Sequence, residues 1–233
     1  MEKIPSLPPA HDFRAAFAGE DIHIISELKK ASPSEGLIRA DFDPVAIAQE
    51  YAAHGAAAMS VLCEPHKFLG SEAYLTAVRA VVGTPLLYKD FLTTEYQIAA
   101  ARVAGADACL LIAAVLETRE LGRLLAFAHQ VGLTALVETH TEEEIQRAVD
   151  VGAQVIGVNC RDLRTFKTDP ALTAELVAKI PSCVTRIGES GLKTHADILK
   201  VKAAGADGFL IGTTLMRAEH PGKKLQELMG KDK

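Results

Sequence analysis

The stretch Gly105-Ala-Asp-Ala-Cys-Leu-Leu-Ile112 joins the end of a helical pattern to a short apolar run. Glycine adopts the left-handed conformation at a helix C-terminus without strain, and a buried strand then follows after a few residues. The same Gly-Ala joint returns at Gly55, Gly152 and Gly205. A period of roughly 50 residues corresponds to two strand–helix units, so the repeat predicts a chain in which strands and helices alternate.

The alternation accounts for the whole chain. Most strand regions are nearly continuous apolar runs, which is typical of parallel strands buried on both faces. Helix starts are marked by Asp43-Pro44, by Thr141 with Glu144, and by Asp169-Pro170. The predicted strands lie near residues 22–28, 57–63, 85–88, 107–112, 133–138, 154–159, 183–188 and 207–212, and the predicted helices near 44–54, 71–82, 94–104, 117–131, 141–151, 170–180, 194–204 and 221–229.

These elements predict an α/β fold, a (β/α)8 TIM barrel of eight parallel strands with outer helices. The length of 233 residues is close to the roughly 250 that such a barrel needs as one domain. We therefore expect a single domain over residues 1–233, with residues 1–21 as a short N-terminal extension. A small amphipathic piece around His11–Phe17 is expected to cap the bottom of the barrel.

Charge and cysteine usage restrict the partners and the compartment. A net charge of −5 offers no basic field, so we expect neither nucleic acid nor an acidic membrane surface as a partner. The sequence shows no signal peptide and no apolar run of transmembrane length, which favours the cytoplasm. The cysteines are far apart and form no C-x-x-C pair, so we expect them to be reduced, with a disulfide framework or a zinc site as the less favoured alternative: Cys63, Cys109, Cys160 and Cys183.

Charged side chains close several apolar runs, at the barrel face where chemistry takes place in this fold. Alternate strand residues share a side, so Glu27 and Lys29 point together into the barrel mouth. One buried Lys–Glu pair is more often structural, but two lysines and three glutamates at one mouth favour a reaction, because burying unused charges is costly. The other strands end in Lys89-Asp90, Glu138, Asn159 with Arg161, and Glu189-Ser190.

Two glycine-containing turns predict a phosphate site. They are Gly188-Glu-Ser-Gly191 after the seventh strand and Ile211-Gly-Thr-Thr214 after the eighth, with a short helix expected to begin near Thr213. Glycine also ends strands for steric reasons. The place of these turns nevertheless favours phosphate, which many barrels hold after strands seven and eight.

Several motifs, in this order, resemble the indole-3-glycerol phosphate synthase family over about residues 22–217. The most specific is the run Glu-x-Lys-x-x-Ser-Pro-Ser, which joins to Lys-Asp-Phe and Asn-x-Arg-Asp-Leu further along the chain. The motifs are Ile24-Ile-Ser-Glu-Leu-Lys-Lys-Ala-Ser-Pro-Ser-Glu-Gly36, Pro85-Leu-Leu-Tyr-Lys-Asp-Phe91, Gly157-Val-Asn-Cys-Arg-Asp-Leu163 and Leu210-Ile-Gly-Thr-Thr-Leu-Met216.

The resemblance implies a decarboxylating lyase of tryptophan biosynthesis. It would close 1-(2-carboxyphenylamino)-1-deoxyribulose 5-phosphate to indole-3-glycerol phosphate, with loss of carbon dioxide and water. No redox cofactor or metal is implied, and an association with other enzymes of that pathway is left open. Activating the carbonyl and expelling the hydroxyl both need proton donors.

By similarity, each site residue receives a role. Lys89 is the general acid toward the carbonyl, Glu138 the acid or base of the dehydration, and Lys29 binds the carboxylate or donates a proton. Glu27 tunes a lysine, and Asn159 bonds sugar hydroxyls or the developing oxyanion. The implied substrate-binding residues are Ser32, Pro33, Phe68, Phe91, Leu110, Arg161, Glu189 and Ser190, and the implied phosphate-binding residues are Gly191, Gly212 and Thr213.

Other interpretations remain open at this point. Lys89 would serve equally in a class I aldolase, as the amine of a Schiff base. A barrel that retains the site without catalysing a reaction is the other alternative. Phe68 and Phe91 are also compatible with ordinary core aromatics. The histidines stand at no metal-ligand spacing, so surface or packing roles are expected for them: His54, His66, His129, His140 and His195.

Overall fold

The computed structural model describes residues 4–160 and 170–231 and has a closed barrel of eight parallel strands. Each strand pairs with the next in chain order, and the last pairs with the first. The predicted (β/α)8 fold is therefore confirmed. The strands are β1 (Ile24–Leu28), β2 (Ala58–Leu62), β3 (Leu86–Lys89), β4 (Ala108–Ile112), β5 (Thr134–Thr139), β6 (Val155–Asn159), β7 (Thr185–Glu189) and β8 (Gly208–Ile211).

Helices surround the barrel, close to the positions that the sequence predicts. In the described part of the chain, no helix is long and apolar enough to cross a membrane. The helices are α1 (Pro44–Ala53), α2 (Glu72–Arg79), α3 (Glu95–Ala104), α4 (Thr118–Gln130), α5 (Glu142–Asp150), α6 (Pro170–Val177), α7 (His195–Ala203), α8 (Thr213–Met216) and α9 (Pro221–Met229).

Two helices end before the predicted residue. The α2 helix ends at Arg79 instead of near residue 82, and α6 ends at Val177 instead of near residue 180. At α2 the cause is visible, because the Arg79 guanidinium donates hydrogen bonds to the carbonyl oxygens of Val82 and Thr84. These bonds hold the chain in a turn that leads directly into β3.

The predicted left-handed glycines are present at all four helix–strand joints. Their φ angles are 86° at Gly55, 102° at Gly105, 84° at Gly152 and 105° at Gly205. Because side chains with a Cβ are strained in this region, glycine lets the chain reverse abruptly from an outer helix into the barrel.

The helix starts agree with the sequence at both Asp43 and Thr141. Pro44 opens α1, and the Asp43 carboxylate accepts from the N–H groups of Val45 and Ala46. At α5, Thr141 accepts from the Glu144 N–H, but the Glu144 carboxylate bonds the N–H of His140 and not that of Thr141. The proposed start at Asp169 lies outside the described residues.

The N-terminal piece closes the bottom of the barrel, as predicted for His11–Phe17. Phe13 and Phe17 are buried, with ring centroids 5.3 Å apart in an edge-to-face contact. Gly208 leaves room for this plug, since a Cβ there would lie 2.6 Å from Phe17 Cδ1. The barrel interior is thus filled from below by apolar side chains, and polar groups are left for its upper end.

Asp107, just before β4, anchors the plug to the barrel. Its carboxylate accepts from the His11 N–H at 2.7 Å and from the Leu86 N–H at 2.8 Å. The Arg79 guanidinium donates to the same carboxylate at 2.7 Å. Asp107 is only 3% exposed, so its charge depends on these donors for stabilisation.

Candidate active site

A cavity of about 910 Å³ opens at the C-terminal ends of the strands. All but two of the site residues that the sequence predicts line this cavity. Glu189 is not part of the lining, and Arg161 lies outside the described residues. The predicted residues that line the cavity are Glu27, Lys29, Ser32, Pro33, Phe68, Lys89, Phe91, Leu110, Glu138, Asn159, Ser190, Gly191, Gly212 and Thr213.

Glu27 lies between two lysines at the centre of this cavity. Lys29 Nζ donates to Glu27 Oε2 at 3.0 Å, and Lys89 Nζ lies 3.7 Å from Glu27 Oε1. The intervening Leu28 points away from the cavity and packs among the outer helices. Each oxygen of Glu27 therefore faces one ammonium group, which fixes both lysines relative to one another.

Lys89 also contacts Glu189, whose Oε2 atom lies 3.6 Å from Lys89 Nζ. Burial alone would lower the pKa of Lys89. The carboxylates of Glu27, Glu189 and Glu138 outweigh that effect and raise the pKa above its ordinary value. Lys89 is therefore an ammonium group at neutral pH.

Glu189 is the most deeply buried of the three glutamates, at 1% exposure. Burial and the nearby Glu138 raise its pKa to about 8, although Lys89 opposes the shift. Glu189 is therefore protonated more readily than a free glutamate. Gly157 gives Glu189 its space, because a Cβ there would lie 2.1 Å from Glu189 Oε1.

The pKa of Glu138 is shifted in the opposite direction. Its Oε1 atom accepts from Asn159 Nδ2 at 3.1 Å and lies 3.4 Å from His140 Nε2. Burial acts to raise the pKa of Glu138, but His140 and Lys89 outweigh it, so the pKa lies below the ordinary value. The pKa values of two glutamates in one barrel mouth are thus shifted in opposite directions, which is a useful arrangement for moving protons.

Phe68 and Phe91 form the apolar side of the cavity. Their ring centroids are 6.4 Å apart, and the ring planes are tilted by 50°. Phe91 is 49% exposed and Phe68 is half-buried, so the alternative that they are core aromatics is wrong. The Glu64 carboxylate holds the loop that carries Phe68, accepting from the N–H groups of His66, Lys67 and Phe68.

The two glycine-containing turns meet at the other end of the cavity. Ser190 and Gly191 both have left-handed backbones, with φ of 58° and 77°. The short α8 helix begins at Thr213, as the sequence predicts, and Thr214 Oγ1 donates to the Leu192 carbonyl across the two turns. Within the described ranges, Thr213 Oγ1 has no hydrogen-bond partner.

The loop after β1 reaches over this end. It forms a hairpin in which Ala31–Ser32 pairs with Gly36–Leu37. The Arg39 guanidinium donates to the carbonyl oxygens of Met216 and Ala218, and Glu35 forms an ion pair with Arg217. These contacts hold the hairpin against α8, so the loop forms one wall of the cavity.

Some residues of the site escaped the sequence analysis. Lys193, Arg217 and Lys224 line the cavity near the turns, and the only signal for them was their position shortly after the glycines. His140 was expected at the surface or in packing. It follows β5 directly, and this position at a strand end was the signal for it.

Comparisons with known proteins agree with the geometry. A family model described as indole-3-glycerol phosphate synthase matches residues 3–228. Proteins of that name are similar to this chain in Alkaliphilus metalliredigens, at 44% identity over 98% of this chain and 88% of the relative, and in Chlorobium phaeovibrioides, at 50% identity over 90% and 82%.

Solved structures match at much lower identity. A 3-hexulose-6-phosphate synthase superimposes with a TM-score of 0.73 at 14% identity, over 90% of this chain and 99% of the other. A thiamine phosphate pyrophosphorylase from Pyrococcus furiosus gives 0.68 at 15% identity, over 95% and 98%. These matches show the barrel fold alone.

Proposed function

Because the chain belongs to the indole-3-glycerol phosphate synthase family, we propose that its charged barrel mouth closes 1-(2-carboxyphenylamino)-1-deoxyribulose 5-phosphate to indole-3-glycerol phosphate. The resemblance drawn from the motifs is confirmed, and with it the assignment to the decarboxylating lyases of tryptophan biosynthesis. The roles of the individual side chains are our proposal.

The observation that carries these roles is the position of Lys89 beside two glutamates. Its ammonium group lies between the carboxyl groups of Glu27 and Glu189, which favour the protonated amine. A Schiff-base aldolase needs the opposite, a lysine whose pKa is lowered so that the neutral amine attacks. The surroundings of Lys89 suit a proton donor, and they favour the lyase over the aldolase.

In the first step, the ring carbon that bears the carboxylate attacks the ketone carbon. Lys89 donates a hydrogen bond to the ketone oxygen and gives it a proton as negative charge develops there. The carboxylate then leaves as carbon dioxide, and its bonding electrons restore the aromatic ring. The step consumes one proton, which Lys89 regains from solvent.

In the second step, the new hydroxyl leaves as water. Lys29 gives a proton to the leaving oxygen, and Glu27 orients its ammonium group at 3.0 Å. Glu138 removes the proton from the neighbouring ring carbon, since its lowered pKa makes it a carboxylate at neutral pH. One proton is given and one is taken, so the step needs no other reactant.

The two ends of the cavity suit the two ends of the substrate. Phe68 and Phe91 would hold the aromatic ring, with Pro33 and Leu110 beside them. The phosphate would lie at the opposite end, on the amides of Gly191 and Gly212 and the Thr213 hydroxyl, with Ser32 above it. Removing water from this slot strengthens the interactions of the lysines with the substrate.

We propose a single domain and a cytoplasmic location. The four cysteines support the second, since the structure has each of them as a thiol and three are buried, as is usual for proteins of reducing compartments.

The direct test supplies the purified protein with 1-(2-carboxyphenylamino)-1-deoxyribulose 5-phosphate. We expect indole fluorescence to appear and carbon dioxide to be released in equal amount. Borohydride is added in a parallel reaction, and no covalent adduct on Lys89 is expected. A folded protein that releases neither product, or one that is trapped on Lys89, would show that the proposed function is wrong.

Gly212 lies against the side chains of Glu27 and Lys29, and the absence of a Cβ at this position leaves room for them. A Cβ at this position would lie 2.1 Å from Glu27 Oε2 and 3.0 Å from Lys29 Nζ. Gly212→Ala should therefore displace the pair and lower kcat/KM by about 100-fold, as expected for a misplacement of about 1 Å in a catalytic group. Steady-state kinetics and a melting curve measure the effect on activity and on folding.

Gly83→Ala is the matched control, since an added Cβ there meets no atom of the described residues within 4 Å. It should leave both kcat/KM and the melting temperature close to the wild-type values. A Gly212→Ala protein that is as active as the control would contradict the geometry of the Glu27–Lys29 pair.

A further inference from the structure

His140 lies between two carboxylates, directly after β5. Its Nε2 atom is 3.4 Å from Glu138 Oε1, and its Nδ1 atom is 3.3 Å from Glu144 Oε2. The backbone N–H of His140 also donates to Glu144 Oε2, at 2.7 Å. The imidazole therefore bridges the glutamate of the barrel mouth and a glutamate in the first turn of α5.

The bridge uses only one oxygen of Glu138. Asn159 Nδ2 donates to the same Oε1 atom, at 3.1 Å, from β6. Across the residues that the structure describes, no side chain donates to Oε2. Glu138 lines the cavity, whereas His140 does not, so the imidazole approaches the carboxylate from behind.

We propose that His140 is a positioning residue: it holds Oε1 of Glu138 from behind and supplies a positive charge, so that Oε2 is presented to the substrate as an ionised base. This inference rests on the proposed function, because it assigns the oxygen that takes the proton in the dehydration. Neither the motif matches nor the proposed roles of the site residues include His140.

The charges around the imidazole agree with this role. Glu138 faces it from β5 and Glu144 from α5, while Glu189 on β7 and Lys89 on β3 act on the same glutamate. Burial alone would lower the pKa of His140, but Glu138 and Glu144 raise it above the ordinary value. The imidazole is therefore protonated more readily than a free histidine.

Glu144 has a second part in the arrangement. Instead of completing the capping box with Thr141, its carboxylate turns toward the N–H and Nδ1 atoms of His140. The start of α5 is in this way connected to the orientation of the imidazole. A proton on both ring nitrogens lets His140 donate to both glutamates at once.

The positive charge of the imidazole decides in which direction the loss of His140 shifts the pKa of Glu138. A nearby imidazolium favours the ionised form of Glu138, so the base stays available to lower pH. When the imidazole is removed, Glu138 takes up a proton at a higher pH. The acid limb of the pH profile of kcat/KM reports the ionisation of the base in the free enzyme. It must then move to higher pH.

The test compares His140→Gln with the wild-type protein over a full pH range. Glutamine can still donate to Glu138, but it carries no charge. We expect the acid limb to move up by about one pH unit, with kcat/KM above that limb within a few-fold of wild type. His129→Gln, at an exposed position of α4, is the matched control and should leave the limb unchanged.

A second variant changes the charge near the imidazole while His140 itself stays in place. Glu144→Gln removes the far partner of the imidazole and should move the limb in the same direction by a smaller amount. A carbon-13 NMR titration of labelled glutamate carboxyls, with the Glu138 signal assigned from Glu138→Gln, follows the same ionisation without any turnover.

The outcomes are distinct. An unmoved acid limb and an unmoved Glu138 titration in folded His140→Gln would overturn the inference. A wild-type protein without activity would overturn the proposed function, and the NMR titration would then decide the inference alone. An upward movement in both measurements supports the role of His140.

Discussion

Replacing Lys89 with methionine is expected to lower kcat for ring closure by about 1,000-fold, within the range for loss of a general acid. Methionine keeps the volume and the apolar stem but cannot donate a proton. The change also removes the positive charge between Glu27 and Glu189, so the ionised form of both carboxyl groups is less favoured. Indole fluorescence in the steady state and in a single turnover measures the loss.

Lys200→Met is the matched control, because Lys200 is an exposed lysine of α7, away from the cavity. It should keep the wild-type rate. The KM of Lys89→Met should change much less than kcat, because the phosphate and ring contacts do not involve Lys89. If Lys89→Met kept more than about a tenth of the wild-type kcat, another group would have to protonate the ketone.

Replacing Asp107 with alanine is expected to have the largest effect on stability. The change removes a buried carboxylate and leaves the Arg79 guanidinium without its charge partner and two backbone N–H groups without acceptors. Breaking a buried pair in this way costs about 3–5 kcal/mol. For a chain of this size, that corresponds to a fall in melting temperature of roughly 10 °C.

Asp150→Ala provides the comparison, since Asp150 is an exposed aspartate that accepts one hydrogen bond from Gln146 on the surface of α5. It should change the free energy of unfolding by no more than about 0.5 kcal/mol. Because Asp107 lies at the barrel bottom, its variant should keep a normal KM at a temperature where it is folded. Equal melting curves for both variants would contradict the anchoring role of Asp107.

The fold was predictable because its signals are local. A left-handed glycine such as Gly105 is needed wherever a helix reverses into a strand, and the apolar run after it can be read without knowing its neighbours. The alternation of Glu27, Leu28 and Lys29 likewise decided which side chains enter the mouth, since strand residues alternate between faces. These features depend on the chain within a few residues.

The remaining features depend on distant parts of the chain meeting. The pKa of Glu189 is raised because its side chain is buried and because Glu138 lies near it from another strand. The Glu138 carboxylate that His140 contacts is held by Asn159, which lies on the next strand. Arg217 lines the cavity and forms an ion pair with Glu35, which lies 182 residues earlier in the chain. A sequence pattern gives no measure of such distances.

We propose that the substrate spans the cavity, with its phosphate at the turns after β7 and β8 and its ketone at Lys89. The most direct test is a crystal structure with the analogue in which the ketone is reduced to an alcohol, which cannot cyclise. We expect its phosphate on the amides of Gly191 and Gly212, its ring between Phe68 and Phe91, and its alcohol oxygen about 3 Å from Lys89 Nζ. A phosphate bound elsewhere, or an alcohol out of reach of Lys89, would show that the proposed binding mode of the substrate is wrong.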